Sequence, residues 1–403
     1  MKKFLSAILA AVMLLTLASC GTATTQENEA ASNVKVGFIF LHDENSTYDK
    51  NFIDAAKAVQ SDLGLTDAQV MFKTNIPETN ECYEAAAELA EAGCNLIFAD
   101  SFGHEPYMVQ AAKEYPEVQF CHATGTTAHT EKLTNFHNAF ASIYEGRYLA
   151  GIAAGMKVQE MIDTKKITED KAKMGYVGAF PYAEVISGYT SFYLGVKSIV
   201  ENVTMEVRYT NSWYDETAEK TTALALIDNG CKLISQHADS WGAPTACEER
   251  NIPNVSYNGS TAEKCPNTFI VASRINWAPY FEYIIDCVKK GEKIDTDWTG
   301  TLETGSVEIT EVGAAAAEGT QAKLDDVKAK LIDGSLKVFD CSTFTVDNKA
   351  LTSFVADVDD AGDFVPETEV VETSGDITFV NESAKRSAPY FNVIIDGITA
   401  VTE

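Results

Sequence analysis

The sequence predicts an α/β protein of two lobes, each a parallel β-sheet flanked by helices. Short apolar β runs alternate with segments of helical periodicity, first over residues 34–121 and again over residues 173–257. A strand–helix–strand order of this kind produces parallel sheets covered by helices. The chain has 403 residues, of which 45% are hydrophobic, which is long for one core and comfortable for two.

The first series starts at the β run 34–40 and continues into a helix at 49–63. This helix is predicted because Phe52, Ala56 and Val59 recur at helical spacing. Gly93 and Pro116 are placed to end two further helices. The other strands of the series are expected at 69–72, 95–99 and 118–121, and the other helices at 80–92 and 105–115.

A long helical stretch follows at 144–159. Gly151 and Gly155 give it a face of small residues, which suits close packing on another helix. A membrane dimer motif is the alternative, but Arg147 and Lys157 in the same stretch argue against it.

The second series indicates a second lobe of the same general design. Its strands are expected at 173–177, 204–209, 233–235 and 254–257, and its helices at 182–198, 215–229 and 244–250. A strand at 269–272 and a helix at 279–290 are expected to return to the first lobe, so that several chain crossings form a hinge. The predicted division gives residues 34–142 and about 273–300 to lobe 1, residues 143–272 and about 301–350 to lobe 2, and residues 351–403 to a C-terminal extension packing on the lobes.

The N-terminus predicts an exported lipoprotein. Lys2 and Lys3 precede an apolar stretch at 4–17 that is too short for an ordinary spanning helix. It ends in Leu-Ala-Ser before Cys20, so residues 1–19 are interpreted as a signal peptide and Cys20 as the lipidated residue. A plain secretory signal is the alternative. Residues 20–33 are polar and are predicted to be a flexible tether, which places the protein on the extracytoplasmic face of the cell membrane.

The formal net charge of -28 limits the partners of the chain. A surface this acidic repels nucleic acid and anionic lipid. We therefore expect no nucleic-acid partner, membrane association only through the lipid anchor, and a monomer.

Eight cysteines remain besides Cys20, an even number that makes disulfides possible in an exported chain. Several lie inside apolar stretches and none forms a CxxC pair, which favours mostly reduced, buried thiols. The eight are Cys82, Cys94, Cys121, Cys231, Cys247, Cys265, Cys287 and Cys341.

The sequence contains no recognisable catalytic, phosphate-binding or metal-binding motif. It contains no phosphate-binding glycine loop and no G-x-S-x-G nucleophile motif. None of its six histidines forms an H-x-x-x-H pair, so no metal or other cofactor is expected. The chain is predicted not to be an enzyme.

The loops at the carboxyl ends of the predicted strands carry the candidate binding residues, because open α/β sheets bind ligands there. Each loop combines an aromatic or small residue with an amide, hydroxyl or carboxyl group, a mixture that fits a small, planar, polar ligand. Taken singly, Trp213 could cover a surface, Asp215 could cap a helix and Asn258 could serve a turn. The loops lie at 41–48, 100–104, 122–125, 178–182, 210–215, 236–240 and 257–260.

At these loops the chain closely resembles the basic membrane protein family of lipoproteins, which are substrate-binding proteins of ABC importers. The resembling segments are 99–103, 122–125, 144–151, 175–181, 211–215 and 276–280, with 386–391 less closely similar. The resemblance implies a type I periplasmic-binding fold with the ligand in the cleft between the lobes. Characterised members bind purine nucleosides or purine bases, so such a ligand and an ABC permease are the implied partners.

The resemblance also implies roles for individual residues. Tyr48, where many relatives carry Trp, would stack on the ligand, and Phe180 and Trp213 would be aromatic walls from the second lobe. The polar contacts would come from Ser101, His237, Asp239, Asn258 and Asn276, and the predicted set is completed by Asn45, Phe102 and Trp277. The first loop departs from the family's glycine-rich form, which leaves base and nucleoside as alternatives.

The expected function is therefore capture of a purine nucleoside or base for delivery to an ABC permease. Two alternatives remain open. One is a sensor of the same fold that presents a sugar or signalling molecule to a receptor. The other is an anchored nucleoside hydrolase with Asp239 or Asp43 as its catalytic carboxylate, for which the sequence offers no recognisable nucleophile or metal constellation.

Overall fold

The structure, a computed structural model, describes residues 34–357 and 367–401. The predicted signal peptide, the lipidation site Cys20 and the tether lie outside the described residues. Within them, no helix has the length and apolar character needed to cross a membrane.

The first lobe contains a six-stranded sheet in which every neighbouring pair is parallel. The strand order is β11-β5-β4-β3-β1-β2. The strands are β1 (Val36–Ile39), β2 (Val70–Lys73), β3 (Leu96–Ala99), β4 (Gln119–Ala123), β5 (Phe136–Ala141) and β11 (Asp297–Gly300). The helices of this lobe are α1 (Thr47–Asp62), α2 (Asn80–Glu91), α3 (Glu105–Glu114), α4 (Ala128–Glu131) and α9 (Ala278–Lys290).

The second lobe contains a seven-stranded sheet of order β12-β10-β9-β8-β6-β7-β17, parallel except for the β10–β12 pair. Its strands are β6 (Lys173–Gly178), β7 (Thr204–Tyr209), β8 (Leu233–His237), β9 (Asn254–Tyr257), β10 (Phe269–Ile275), β12 (Val307–Ile309) and β17 (Ile398–Val401). Its helices are α5 (Ile143–Asp163), α6 (Ala183–Lys197), α7 (Glu216–Asp228), α8 (Gly242–Arg250) and α10 (Thr320–Ile332). Two short antiparallel pairs, β13 (Val355–Ala356) with β14 (Thr368–Glu369) and β15 (Val371–Ser374) with β16 (Ile377–Val380), precede β17.

The α/β class with helix-flanked parallel sheets is thus confirmed. The chain passes between the lobes at Ser142, at Asn276 and through residues 301–306, which are the crossings expected of a hinge. The expectation that the strand at 269–272 returns to the first lobe is wrong. That strand is β10, which pairs with β9 in the second sheet, and the return begins only with α9.

Helices α5 and α6 pack with their backbones in close contact, as the small-residue face of α5 predicts. A Cβ on Gly151 would lie 2.1 Å from the carbonyl oxygen of Phe192, and one on Gly195 would lie 2.3 Å from that of Tyr148. Both positions therefore require glycine. The prediction of buried thiols is confirmed as well, since the eight cysteines of the described chain are buried and free.

Candidate functional site

A pocket lies between the two lobes, at the carboxyl ends of the sheet strands. The empty space between its walls is about 380 Å³, including space open to solvent. The first lobe contributes Leu41, Tyr48, Asp49, Ser101, Phe102 and Thr124, and the second contributes Glu184, Trp213, His237, Asp239 and Tyr257.

Direct contacts between the lobes close this cleft. The backbone N–H and the hydroxyl of Thr47 both donate to the carbonyl oxygen of Asp239, at 3.1 and 3.0 Å. The rings of His42 and Tyr214 lie 5.3 Å apart, which adds a second bridge. The structure therefore represents the closed arrangement of the lobes.

An aromatic cluster stands at the rim of the pocket, formed by Phe102, Phe180, Tyr182 and Trp213. Phe180 stacks on Tyr182 with ring centroids 5.0 Å apart and meets the edge of Trp213 at 5.2 Å. Phe102 reaches across from the first lobe to Tyr182 at 5.7 Å. The cluster therefore joins the two lobes beside the pocket, and two of its rings, Phe102 and Trp213, line the pocket itself.

Two carboxyl groups of the first lobe accept hydrogen bonds from backbone N–H groups of the loop after β1. The Asp49 carboxyl accepts hydrogen bonds from the His42 backbone N–H at 2.6 Å and from the Ser46 hydroxyl at 2.5 Å, while Ser46 caps the helix. Asp100, behind the pocket, accepts from the Leu41 N–H at 3.1 Å. Burial, together with the neighbouring Asp49 carboxyl, raises the pKa of Asp100 well above its ordinary value.

The Asp100 backbone also holds the ring that is predicted to stack. The Tyr48 hydroxyl donates to the Asp100 carbonyl oxygen at 2.7 Å, and the Tyr48 ring meets the edge of Phe52 at a centroid distance of 4.9 Å. The orientation of Tyr48 is therefore fixed from two sides.

Asp239 is the central polar residue of the second lobe. Its side chain accepts from the Asn258 amide at 3.1 Å, and its backbone N–H donates to the Trp213 carbonyl oxygen at 3.0 Å. Asn258 has a φ of 63°, a left-handed conformation that asparagine tolerates better than most residues. Burial, followed by the fields of Glu219 and Asp49, raises the pKa of Asp239 well above its ordinary value. A ligand N–H or O–H donated to Asp239 would favour its ionised form.

His237 lies beside Asp239 against helix α6. Its Nε2 is 3.3 Å from Glu184, and its ring is 4.3 Å from that of Tyr257. A Cβ on Gly188 would be 2.7 Å from the imidazole, so a glycine there lets the ring fit against the helix. Burial lowers the pKa of His237, which favours a neutral imidazole that can accept or donate one hydrogen bond.

A strained loop completes the first-lobe wall. Thr124 has a φ of 65°, unusual for a β-branched residue, and such strain is concentrated at functional sites. The Glu105 carboxylate holds the loop by accepting from the backbone N–H groups of Thr126 and Thr127, each at 2.9 Å. At Gly125 a Cβ would meet Glu105 at 2.3 Å, so this clamp requires glycine.

The charge of the pocket comes from carboxyl groups. None of the eleven lining residues, all within the described chain, is a lysine or arginine. Arg147 lies behind the pocket, fully buried in the second lobe, with its guanidinium 5.1 Å from the Tyr257 ring centroid. Hydroxyls of Tyr176 and Ser235 accept from it at 3.0 and 2.8 Å. Arg147 therefore offsets the carboxyl groups from behind the aromatic wall without reaching the ligand space.

Most of the predicted binding residues meet at this pocket. Six of the eleven line it: Tyr48, Ser101, Phe102, Trp213, His237 and Asp239. Phe180 belongs to the aromatic cluster and Asn258 supports Asp239.

The other three predicted residues lie elsewhere. Asn45 is exposed and its amide donates to Asp43 at 2.8 Å. Asn276 is at the second lobe crossing, where its side chain accepts from the Ala278 N–H at 3.1 Å. Trp277 is buried in the first-lobe core, stacked on Phe52 at 4.4 Å. The structure therefore gives Asn276 and Trp277 hinge and packing positions.

Five lining residues were not in the predicted set: Leu41, Asp49, Thr124, Glu184 and Tyr257. Four lie in or beside the candidate loops at the carboxyl ends of the predicted strands. Glu184 is in the first turn of α6, where its position after an aromatic loop is the available signal. No group of three or more His, Cys, Asp or Glu side chains in the described residues is arranged to hold a metal ion.

The chain is similar in sequence and in fold to proteins of ABC transport systems. A purine-binding protein from Brucella abortus is 31% identical over 353 residues, covering 82% of this chain and 94% of the relative. A putative ABC transporter glucose-binding protein from Haloferax volcanii is 28% identical over 278 residues, covering 68% and 67%. A solved ABC transporter solute-binding protein from Aeropyrum pernix shares the fold with a TM-score of 0.62 at 18% identity, covering 76% of this chain and 93% of that one.

The family profile described as ABC transporter substrate-binding protein, PnrA-like, matches residues 38–341. This match covers both sheets except β17 and the start of β1, and includes every residue that lines the pocket. The resemblance noted in the sequence is therefore confirmed, and the chain belongs to the Bmp family of PnrA-like ABC transporter substrate-binding proteins.

Proposed function

We propose that this protein captures a purine base or purine nucleoside in the cleft between its lobes and delivers it to an ABC permease. The pocket lining carries the proposal: four aromatic side chains and three carboxyl groups surround one small space. Aromatic rings stack on the faces of a planar heterocycle, and carboxyl oxygens accept from its N–H groups and from sugar hydroxyls.

The electrostatics favour a neutral ligand. A phosphate group inside the pocket would face Asp49, Glu184 and Asp239, and none of the residues lining the pocket is a cation. Arg386 lines an adjoining cavity, but its buried guanidinium already donates to the carbonyl oxygens of Ala388 and Pro389. Such contacts between like charges oppose binding, especially where solvent is excluded. We therefore expect bases and nucleosides to bind and nucleotides to be rejected.

The predicted lipid on Cys20 completes the proposed role. Two or more acyl chains would hold the carrier stably at the membrane, at about 0.8 kcal/mol for each buried CH₂. The polar tether at 20–33 would let a monomer reach the permease on the extracytoplasmic face. Lobe closure on the ligand would be the state that the permease recognises.

Isothermal titration calorimetry with adenine, hypoxanthine, adenosine, inosine, inosine monophosphate and glucose tests the proposal. We expect at least one base or nucleoside to bind and the monophosphate not to bind. Binding of glucose without any purine would contradict the proposal. That outcome would instead support a sugar-binding role, which the similarity to the putative glucose-binding relative favours as the second candidate.

A further inference from the structure

The C-terminal strap, defined as residues 382–392, contacts both lobes. Its first residue, Glu382, accepts a hydrogen bond from Ser187 on helix α6 of the second lobe. Further along, the backbone N–H and the hydroxyl of Ser387 donate to Asp297 on the first-lobe strand β11, at 2.9 and 3.1 Å. The chain then returns to the second sheet as β17. The strap lies beyond residue 341, where the family match ends.

Buried side chains and internal hydrogen bonds hold the strap in place. Arg386 is buried, and its guanidinium donates to the carbonyl oxygens of Ala388 at 3.2 Å and Pro389 at 2.9 Å, which folds the strap back on itself. Phe391 is fully buried and stacks on Phe339 with centroids 4.3 Å apart. The position of the strap is therefore fixed by burial as well as by hydrogen bonds.

One face of the strap walls a second cavity, which we call the outer chamber. Its empty space is about 870 Å³, including space open to solvent. The strap contributes Arg386, Ala388, Pro389 and Asn392 to its lining. The outer chamber adjoins the ligand pocket, and Phe102, Thr124, Glu184 and Trp213 line both cavities.

The two cavities differ in chemistry. The inner pocket is the more enclosed and has rings on several sides, which suits a planar heterocycle. The outer chamber is partly open to water and adds the hydroxyl of Thr126, the amide of Asn392 and the guanidinium of Arg386, which donates to the strap carbonyl oxygens of Ala388 and Pro389. Hydroxyl and amide groups of this kind pair with a neutral, hydroxyl-rich substituent.

We infer that the outer chamber receives the ribosyl group of a purine nucleoside, so that the C-terminal strap determines whether the protein accepts nucleosides as well as bases. This inference rests on the proposed function, because it takes the base to occupy the inner pocket. With the base in the inner pocket, its substituent extends past the four shared side chains towards the outer chamber, where the strap limits the room available to it.

Filling the outer chamber tests the inference. Asn392 is exposed and lines the chamber, so Asn392→Trp adds bulk there without disturbing a core. Ile394, two residues on, is 39% exposed and does not line either cavity, so Ile394→Trp is the matched control. Dissociation constants for hypoxanthine and inosine are measured by calorimetry for the wild type and both variants.

We expect Asn392→Trp to weaken inosine binding by at least about tenfold and to leave hypoxanthine within about twofold of the wild type. Ile394→Trp should change neither. Equal effects on both ligands, no effect on inosine, or a wild type that binds hypoxanthine but not inosine would each overturn the inference while leaving the proposed function in place. A wild type that binds no purine base or nucleoside at all would overturn both.

Discussion

Replacing Trp213 with alanine removes the largest second-lobe ring of the ligand pocket. Stacking contributes about 0.5–1.5 kcal/mol beyond burial. If roughly 50 Å² of the ring face is covered by ligand, lost burial adds about 1.3 kcal/mol at about 25 cal/mol per Å². The sum is about 2–3 kcal/mol, which predicts a dissociation constant about 30- to 150-fold larger. The backbone bond from Asp239 to the Trp213 carbonyl oxygen remains in the variant, so the Asp239 loop keeps its support.

Calorimetric titration of the best purine ligand measures this change, and Trp298→Ala is the matched control. Trp298 is also a half-buried tryptophan, but its ring packs on Tyr280 in the first lobe, at 4.9 Å and outside the pocket. The control should bind ligand as the wild type does. An unchanged dissociation constant for folded Trp213→Ala would refute the assignment of Trp213 as a stacking wall.

Three further predictions concern stability and ligand affinity. Gly151→Ala should lower the free energy of unfolding by about 1–3 kcal/mol, because its Cβ would overlap the α6 backbone. Gly259→Ala is the control and should be tolerated, because a Cβ there has no neighbour nearer than 3.8 Å. Denaturant unfolding measures the free energy of unfolding of both variants. Burial raises the pKa of Glu219 to about 7, from 4.5, so the folded state favours the protonated carboxyl group. The stabilisation from this group is fully present below pH 4.5 and is lost as the pH rises to about 7. Glu219→Gln should therefore flatten the plot of unfolding free energy against pH over this range. Asn258→Ala should weaken ligand binding by about 1.5–3 kcal/mol in calorimetry, because Asp239 loses a hydrogen-bond donor; wild-type affinity would contradict the supporting role.

The sequence predicted the alternation of strands and helices because apolar periodicity is strong in both lobes. Strand β5 was missed because His137 and Asn138 interrupt its apolar pattern. Both are buried with distant partners: His137 contacts Gln119 at 2.9 Å, and Asn138 contacts Glu105 at 3.0 Å. Buried polar residues satisfied over long sequence distances leave no local signal. Strand β17 also lacks a local signal, because its pairing partner β7 lies almost two hundred residues earlier in the chain.

The residues that line the pocket are predictable from sequence where the loop after a strand has a distinctive composition. Aromatic and amide residues after strands stand out, and Tyr48, Trp213 and His237 were found in this way. Asp49 and Glu184 were missed because a chain with 59 acidic residues makes any one carboxylate unremarkable. Asp49 is buried and Glu184 is half-buried beside the pocket, and both placements are properties of the tertiary structure.

Asp239 belongs both to the pocket and to the contact that holds the lobes together. Its side chain lines the pocket, while its backbone carbonyl accepts both hydrogen bonds from Thr47 across the cleft. Two such bonds contribute about 1–3 kcal/mol to the closed state, which alone is comparable with the cost of ordering the loops that form them. A ligand shifts such a balance only by binding the closed state more tightly. Because Tyr48 follows Thr47 directly and Trp213 bonds to the Asp239 backbone, a ring held between Tyr48 and Trp213 would stabilise the same residues that join the lobes, and capture and closure would then be one event.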